Sequence, residues 1–333
     1  MKQSTARWGS VAETAQRIGG EALSLFWTLV RIMVPLMILV RLLEQWGAID
    51  LLAKFLEPVM GLVGLPGEAA LVWASAMLTN LYGGMAVLAV LSDGTPLTVA
   101  QVSVLTTMML IAHGLPVEVA IARAAGVRAR ATLLVRLGGA LLAGVLISTL
   151  YQWGGWLQQP NLLIWSPEVA DASWSSWLIA QGEGLLWIFF IILALLLFLD
   201  LLKALGITAW LGRVLSPLLR SLGIGEQTVT LAMVGITIGV SYGGALLIKE
   251  SQAGHLPPKD IFGAMMLLGL THSLFEDTAL MVLMGGHLSA LLVGRVAVTI
   301  LLMVIIMRVV NSMSEAHFNR WLWHANSPVH SGG

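Results

Sequence analysis

Three long apolar runs constrain what this chain can fold into more than any other feature of its sequence. They span residues 23–43, 185–202 and 288–310. Each approaches the ~20 apolar residues that a helix needs to cross a ~30 Å hydrocarbon core. The composition agrees, because only 11% of the residues are charged, whereas soluble domains average about 25%. The sequence therefore predicts an all-α integral membrane protein.

Charge and cysteine usage exclude several other classes. The chain has 18 basic and 18 acidic residues and no long Lys/Arg block, so it lacks the electrostatic footprint of a nucleic-acid binder. It also has no cysteine, which excludes disulfides, thiolate metal sites and cysteine nucleophiles. Histidine and carboxylate chemistry remain.

An internal repeat organises the chain. Sliding the sequence against itself by about 159 residues superimposes its two halves. Apolar residues would match by chance here, but the matched landmarks are scarcer residue types that keep the same order in both halves. After a one-residue adjustment at a Tyr-Gly-Gly motif, Gly47, Pro58, Gly64, Tyr82, Gly83, Gly84, His113, Glu118 and Arg136 match Gly206, Pro217, Gly223, Tyr242, Gly243, Gly244, His272, Asp277 and Arg295.

Each half follows the same plan. A long apolar helix comes first. A shorter amphipathic segment follows at residues 48–63 and 207–222, and its pattern predicts a helix that lies in the membrane interface. The Tyr-Gly-Gly motif then interrupts an apolar span at residues 69–91 and 228–248.

The segment at residues 98–126 is long enough to cross the membrane, but a His-Gly-Leu-Pro sequence that begins at His113 favours a break at its centre. A single crossing would separate Arg123, Arg128 and Arg130 from the basic N-terminus. A segment that turns back keeps these arginines on the N-terminal side, as the positive-inside rule prefers. We therefore predict a re-entrant hairpin here and at the matching segment of the second half.

Three crossings and one hairpin per half give about six spanning helices, two re-entrant hairpins and two interfacial amphipathic helices. Because three is odd, the second half enters the membrane from the opposite side, which is the inverted-topology repeat of many secondary transporters. The predicted units are a cytoplasmic tail at 1–22, a first repeat at 23–152, an external Trp-rich linker at 153–178, a second repeat at 179–310 and a cytoplasmic tail at 311–333.

This arrangement also predicts sidedness. It puts most basic residues in the cytoplasm and leaves Lys54, Lys249 and Lys259 outside. Both termini are then cytoplasmic, and the expected location is the bacterial inner membrane.

The paired Gly-rich broken spans around Tyr82 and Tyr242, with the His-containing segments that follow them, resemble the bacterial "nucleoside recognition" or Gate domain proteins. The resemblance covers most of the chain and implies two Gate modules fused in one polypeptide. The same module is similar to membrane portions of concentrative nucleoside transporters and of the ferrous-iron permease, and to paired spore-maturation membrane proteins. The cysteine-bearing Gate motifs of the iron permease have no counterpart here. The resemblance implies a nucleoside-like solute.

The two Tyr-Gly-Gly regions are one half of the predicted solute site. A Gly-Gly pair lets a helix unwind, and unwound backbone inside a membrane survives only when it is buried in protein or lines a wet cavity. Close helix packing through small residues is the alternative interpretation of the same glycines. The predicted solute contacts in these regions are Thr79, Asn80, Tyr82, Gly83, Gly84, Thr237, Ser241, Tyr242, Gly243 and Gly244.

Five ionisable residues complete the predicted solute site: His113, Glu118, His272, Glu276 and Asp277. A charged group at the bilayer centre costs about 2.5–3.5 kcal/mol on insertion scales, so these side chains must face an interior. A carboxylate or a histidine among them would take a coupling proton. Two alternatives stay open. The residues could lie at hairpin tips near the interface, or they could bind a metal, because His272 and Glu276 at i and i+4 share a helix face.

An enzyme is not predicted. The residues from Gly239 to Gly243 match the G-x-S-x-G motif of serine hydrolases, but Ser241 aligns with Leu81 in the other half. The sequence instead predicts a permease for a small polar solute, with no metal or cofactor beyond a coupling proton or sodium ion. A divalent metal-ion permease and a non-transporting scaffold in envelope maturation remain as alternatives. The expected partners are the solute and the lipid bilayer, and a homo-oligomer is left open.

Overall fold

The computed structural model describes residues 48–91, 97–161, 173–221 and 223–324, together with part of residues 16–46. In these ranges every regular element is a helix, which confirms the all-α prediction. Four helices of the described part are long and apolar enough to cross a membrane: Val99–Ala124, Ala129–Gly154, Trp174–Leu202 and Ser289–Ser312. Most of the predicted N-terminal tail, the middle of the Trp-rich linker and the last nine residues lie outside the described ranges.

The helices form two matching series. The first series is α1 (Ala48–Gly61), α2 (Ala69–Leu78), α3 (Leu81–Leu91), α4 (Val99–Ile111), α5 (Leu115–Ala124) and α6 (Ala129–Gly154). After the long helix α7 (Trp174–Ala204), the second series is α8 (Ile207–Ser221), α9 (Glu226–Ile238), α10 (Val240–Ala253), α11 (Pro258–Leu270), α12 (Glu276–Leu283) and α13 (Arg295–Ser312). A π-helical turn, Ser289–Gly294, leads into α13, and a short helix α14 (Glu315–Trp321) ends the described chain.

Helices α2 and α3 pack side by side as a helical hairpin, and so do α9 and α10. The Tyr-Gly-Gly glycines permit the close approach. A methyl group on Gly84 would meet Ala76 of the opposite arm, and one on Gly243 would meet the backbone of Gly235. Each hairpin turns at a point where the backbone leaves the helical region, and Gly239 has a φ of 123° there. These contacts are the small-residue packing that was one of the two interpretations of the glycines. Their contact with a solute, the other interpretation, stays a prediction.

Helices α4 and α5 instead lie end to end, and together they run antiparallel to α6. The start of α4 meets the chain just after α6, because Ala100 N donates to Leu157 O at 2.8 Å. The end of α4 meets the first third of α6, because Arg136 Nε donates to Ile111 O at 2.9 Å. The pair is therefore a single long element that is broken near its middle.

The second series repeats this arrangement with α11 and α12 against α13. Lys259, in the first turn of α11, donates from Nζ to Met313 O just beyond α13, at 3.0 Å. Near the break, the hydroxyl groups of Thr271 and Thr299 form a hydrogen bond of 2.6 Å. Both halves therefore contain one helical hairpin and one broken long element.

The predicted re-entrant hairpin over residues 98–126 is consequently wrong, and the hairpins lie instead in the Tyr-Gly-Gly segments. The break does not reverse the chain for two physical reasons. Gly114 adopts a left-handed conformation with a φ of 56°, which bends the chain locally. Pro116 falls in the first turn of α5, where its missing N–H removes no helical hydrogen bond, so the helix can resume. The predicted number of hairpins per half is unchanged.

Two ends of the bundle can be distinguished by their contacts. At one, which we call the C-terminal end, Arg128 Nε donates to Trp323 O and Ser251 Oγ donates to Ala125 O. At the other, which we call the linker end, Asn161 Nδ2 donates to Met284 O, and Tyr151 hydrogen-bonds to Ser289. The C-terminal segment is thus attached to the loop between α5 and α6.

This geometry corrects the predicted placement of two lysines. Lys249 and Lys259 were expected on the side opposite the C-terminus. Lys259 instead contacts Met313, and Lys249 lies two residues before Ser251, so both are at the C-terminal end. More basic residues therefore lie at one end of the bundle than the sequence predicted, which is the asymmetry that the positive-inside rule describes.

Single cysteines would test the arrangement of the two ends, because the chain contains no native cysteine. Gln252 and Ala316 are exposed at the C-terminal end, and Gln158 is exposed at the linker end. We expect a membrane-impermeant maleimide to label Gln252→Cys and Ala316→Cys from one side of the membrane and Gln158→Cys from the other. Labelling of Gln252→Cys from the side that labels Gln158→Cys would contradict the hairpin formed by α9 and α10.

Replacing Gly243 by alanine would test the close packing of that hairpin. The added methyl group would meet the backbone of Gly235, which cannot move aside as a flexible side chain can. Overpacking of this kind costs about 1–3 kcal/mol, so we expect a lower unfolding temperature in detergent. Gly138→Ala is the matched control, because no atom lies within 4 Å of the added methyl group. Equal unfolding temperatures of the two variants would contradict the packing.

Candidate functional site

The two helix breaks meet each other at a pair of histidines. His113 follows α4 and His272 follows α11, and both side chains are buried. Their Nε2 atoms are 3.2 Å apart, and their ring centroids are 5.0 Å apart. Because the two residues occupy equivalent positions in the repeat, this contact lies where the two halves are related by an approximate two-fold axis.

The hydrogen bonds of the two rings define their tautomers. His113 Nδ1 lies 2.9 Å from Met109 O, and His272 Nδ1 lies 2.8 Å from Leu268 O. A carbonyl oxygen can only accept, so each Nδ1 carries a hydrogen and donates it. In a neutral imidazole, Nε2 is then an acceptor. The two Nε2 lone pairs therefore face each other across 3.2 Å.

Two carboxylates surround the histidine pair. Glu118, in the first turn of α5, places Oε1 3.7 Å from His113 Nε2 and 3.6 Å from His272 Nε2. Asp277, in the first turn of α12, places Oδ2 3.8 Å from His272 Nε2. Both carboxylates are buried, and the Oδ2 atom of Asp277 makes no hydrogen bond. Among the described residues, His113, His272 and Asp277 bring ligand atoms within 4.8 Å of one another.

Two buried arginines cap the broken helices from the neighbouring long helices. Arg136 donates from Nε to Ile111 O and forms an ion pair with Glu118. Arg295 donates from Nε to Leu270 O at 3.1 Å. Its Nη2 donates to Leu110 O at 3.2 Å and to His272 O at 3.1 Å. The two guanidinium groups thus satisfy helix-end carbonyls and supply two positive charges beside the two carboxylates.

The hairpin tips complete the enclosure. Gly114 N donates to Ala76 O near the tip of the first hairpin, at 2.9 Å. Leu274 N donates to Ile236 O near the tip of the second hairpin, also at 2.9 Å. We call the six ionisable residues that these four breaks enclose the central cluster: His113, Glu118, Arg136, His272, Asp277 and Arg295.

Comparison with known proteins gives the chain its family. The model of the family described as "Nucleoside recognition" (Gate) matches residues 26–128 and again residues 185–288. The chain belongs to the Gate family. The two matches confirm the resemblance that the sequence indicated, including its two modules, and each contains one hairpin and one broken long element.

A curated relative supports the same assignment. The chain is 31% identical over 280 residues to the "Uncharacterized membrane protein YvoD" of Bacillus subtilis (strain 168), which covers 83% of this chain and 88% of the relative. No solved structure matches the chain. The Gate matches end before α6 and α13, so the arginines of the central cluster lie on helices that follow each matched segment.

The structure brings four of the predicted site residues into direct proximity: His113, Glu118, His272 and Asp277. Glu276 precedes Asp277 at the start of α12 and is half-buried. Tyr82 lies within electrostatic range of both acids. Tyr82, of the first hairpin, is therefore near Asp277 of the second half.

Other residues that were predicted to contact a solute form hydrogen bonds with the backbone of their own hairpins. Thr79 Oγ1 donates to Ser75 O at 2.6 Å, and Thr237 Oγ1 donates to Met233 O at 2.8 Å. Asn80 Oδ1 accepts from Gly83 N at 3.0 Å. Gly84 and Gly243 serve helix packing, and Gly83 and Gly244 are buried beside them. The side chains of Ser241 and Tyr242 lie outside the described part of the chain.

The two arginines were absent from the predicted site. The repeat matches their positions, but a matched position alone does not decide whether Arg136 and Arg295 neutralise carboxylates or extend to the membrane interface. Both are fully buried, with exposures of 1% and 0%. Two fully buried arginines exclude the interfacial alternative. Each arginine follows the histidine of its own half by 23 residues, and this shared spacing is the sequence signal that could have placed the arginines in the site.

Breaking the pair of Glu118 and Arg136 should destabilise the protein strongly. Removing one partner leaves the other charge buried, which costs about 3–5 kcal/mol. We expect Glu118→Leu to lower the unfolding temperature in detergent, and Glu118→Leu combined with Arg136→Met to recover part of the loss. Glu226→Gln is the control, because its pair with Arg220 is exposed and worth at most about 1 kcal/mol. Additive losses in the double variant would contradict a direct pair.

Proposed function

We propose that this Gate protein is a permease for a small polar solute, and that the central cluster is the site at which the solute or its coupling ion is held. One observation supports this most strongly. Six ionisable side chains are buried where four helix breaks meet between two sequence-related halves. Charged groups inside a membrane cost about 2.5–3.5 kcal/mol each on insertion scales, and they occur mainly along substrate and ion pathways.

Inverted repeats are part of the proposal. Each module would cross the membrane with its leading long helix, with its broken long element and with its last helix, while its hairpin enters and leaves on one side. Three crossings orient the second module opposite to the first, and the termini then share a side. The contact of Arg128 with Trp323 supports this arrangement, because it attaches the C-terminal segment to the loop between α5 and α6. The expected location is the bacterial inner membrane with cytoplasmic termini.

Broken helices suit such a site because they expose helix ends away from the interface. Glu118 and Asp277 lie in the first turns of α5 and α12, where the positive end of the helix dipole favours an anion. The hairpin tips accept few backbone hydrogen bonds from the breaks, one from Gly114 N in the first half and two from Ser273 N and Leu274 N in the second. Movement of a hairpin away from its break would open the cluster from one side at a time, which alternating access requires.

Nucleosides are the first solutes to test, because the family is described by nucleoside recognition. Reconstituted proteoliposomes would be given labelled nucleosides and other small polar solutes, with and without an inward proton or sodium gradient. We expect saturable uptake of at least one solute and stimulation by one gradient. We expect Asp277→Asn to reduce uptake at least tenfold, and the exposed control Glu226→Gln to leave uptake unchanged.

Two results would overturn the proposal. The first is the absence of uptake above that of empty liposomes for every solute in the panel and under both gradients, which would favour a scaffold. The second is normal uptake by Asp277→Asn and His272→Ala variants that elute as monodisperse protein. That result would remove the central cluster from the transport pathway while leaving transport itself in place.

A further inference from the structure

We propose that His113, His272 and Asp277 bind a divalent transition-metal ion. The inference deepens the proposed function, since it names the class of ion that the central cluster holds. The binding itself can be measured in detergent, independently of any flux. The acid of this site is Asp277 rather than Glu276, which the metal alternative named, because a carboxylate oxygen of Asp277 converges with ring nitrogens of both histidines.

The spacing of the two imidazole nitrogens fits a common metal ion. Metal–nitrogen bonds of about 2.05 Å are typical of zinc sites. Two such bonds to nitrogens 3.2 Å apart enclose an angle of about 100° at the metal, close to the tetrahedral value. The ion would lie between the two Nε2 lone pairs. When both rings are neutral, neither Nε2 carries a hydrogen that could be donated to the other.

The surroundings of each histidine also match those of metal ligands. A ligating histidine usually donates its other ring N–H to a carbonyl or carboxylate, which fixes the tautomer and the ring orientation. Both rings do so here, to Met109 O and Leu268 O. Neither ring has to rotate to present Nε2 to an ion.

Asp277 provides the negative charge. The residue is 8% exposed, and its Oδ2 makes no hydrogen bond. This oxygen is 3.8 Å from His272 Nε2, and the ligand atoms of all three residues lie within 4.8 Å of one another, so a shift of roughly an ångström would bring it into a tetrahedral ligand set. Glu118 is less suited to this role because Arg136 already pairs with it. A fourth position is left for water or a solute group.

The ligand chemistry narrows the choice of ion. Two imidazoles and one carboxylate suit zinc, iron, cobalt and nickel in the divalent state. Magnesium and calcium prefer all-oxygen sites, and copper(I) prefers sulfur ligands. A proton shared by the two imidazoles is the competing explanation of their contact. The experiment must therefore distinguish a bound metal ion from a shared proton.

The test uses the full chain, purified in detergent through a histidine-free tag and treated with a chelator. Cobalt(II) would be added as a spectroscopic probe, and zinc binding would be measured by equilibrium dialysis. We expect one ion per chain and the intense visible absorption of four-coordinate cobalt. We expect His272→Gln to abolish binding and Asp277→Asn to weaken it at least tenfold. The control His255→Gln, at an exposed histidine, should bind as the unaltered protein does.

Three results would overturn the inference. They are no ion retained by the unaltered protein, binding by His272→Gln equal to that of the control, or a cobalt spectrum of the hydrated ion only. If His272→Gln does not yield monodisperse protein, Asp277→Asn decides, because it keeps the shape of the side chain. Uptake without metal binding would reject this inference and retain the permease, whereas metal binding without uptake would do the reverse.

Discussion

The structure depends on satisfying the backbone groups that become free where four helices stop inside an apolar bundle. Such groups cannot turn to water there, and each one left without a partner costs several kcal/mol. Arg136 and Arg295 meet this requirement by donating to carbonyls at the ends of α4 and α11. Amides at the same breaks, such as Gly114 N, donate to the hairpin tips. The breaks persist because their polar groups have partners from other elements.

These partners come from both halves, so neither Gate module is complete alone. Arg295 of the second half donates to Leu110 O of the first half as well as to its own Leu270 O. Glu118 of the first half lies as close to His272 as to its own His113. The central cluster is therefore a product of the association of the two modules. The fusion of both modules in one chain keeps them at equal numbers and in one orientation.

The sequence was sufficient for the class of protein, the duplication and four residues of the central cluster, because these follow from run lengths and from scarce residues in register. It was insufficient for the position of the hairpins. Pro116 and Gly114 carry the local signals of a turn, yet Pro116 lies where a new helix can begin. Gly243 lies inside a helix, and its role becomes apparent only when Gly235 packs on it. That contact is tertiary and leaves no local pattern.

One methylene group distinguishes the two acids of the central cluster and breaks its symmetry. Glu118 reaches Arg136, but the equivalent Asp277 is shorter, and its Oδ2 is left without a hydrogen bond. Arg295 meanwhile donates its Nη2 to the carbonyls of Leu110 and His272. Two equal carboxylate–arginine pairs would neutralise both acids and leave no charge for a ligand. With Asp277 in one half, the cation that we propose between the two histidines would be held more strongly by the second module. The proposed site would then be asymmetric, although it lies on the approximate two-fold axis that relates the two halves.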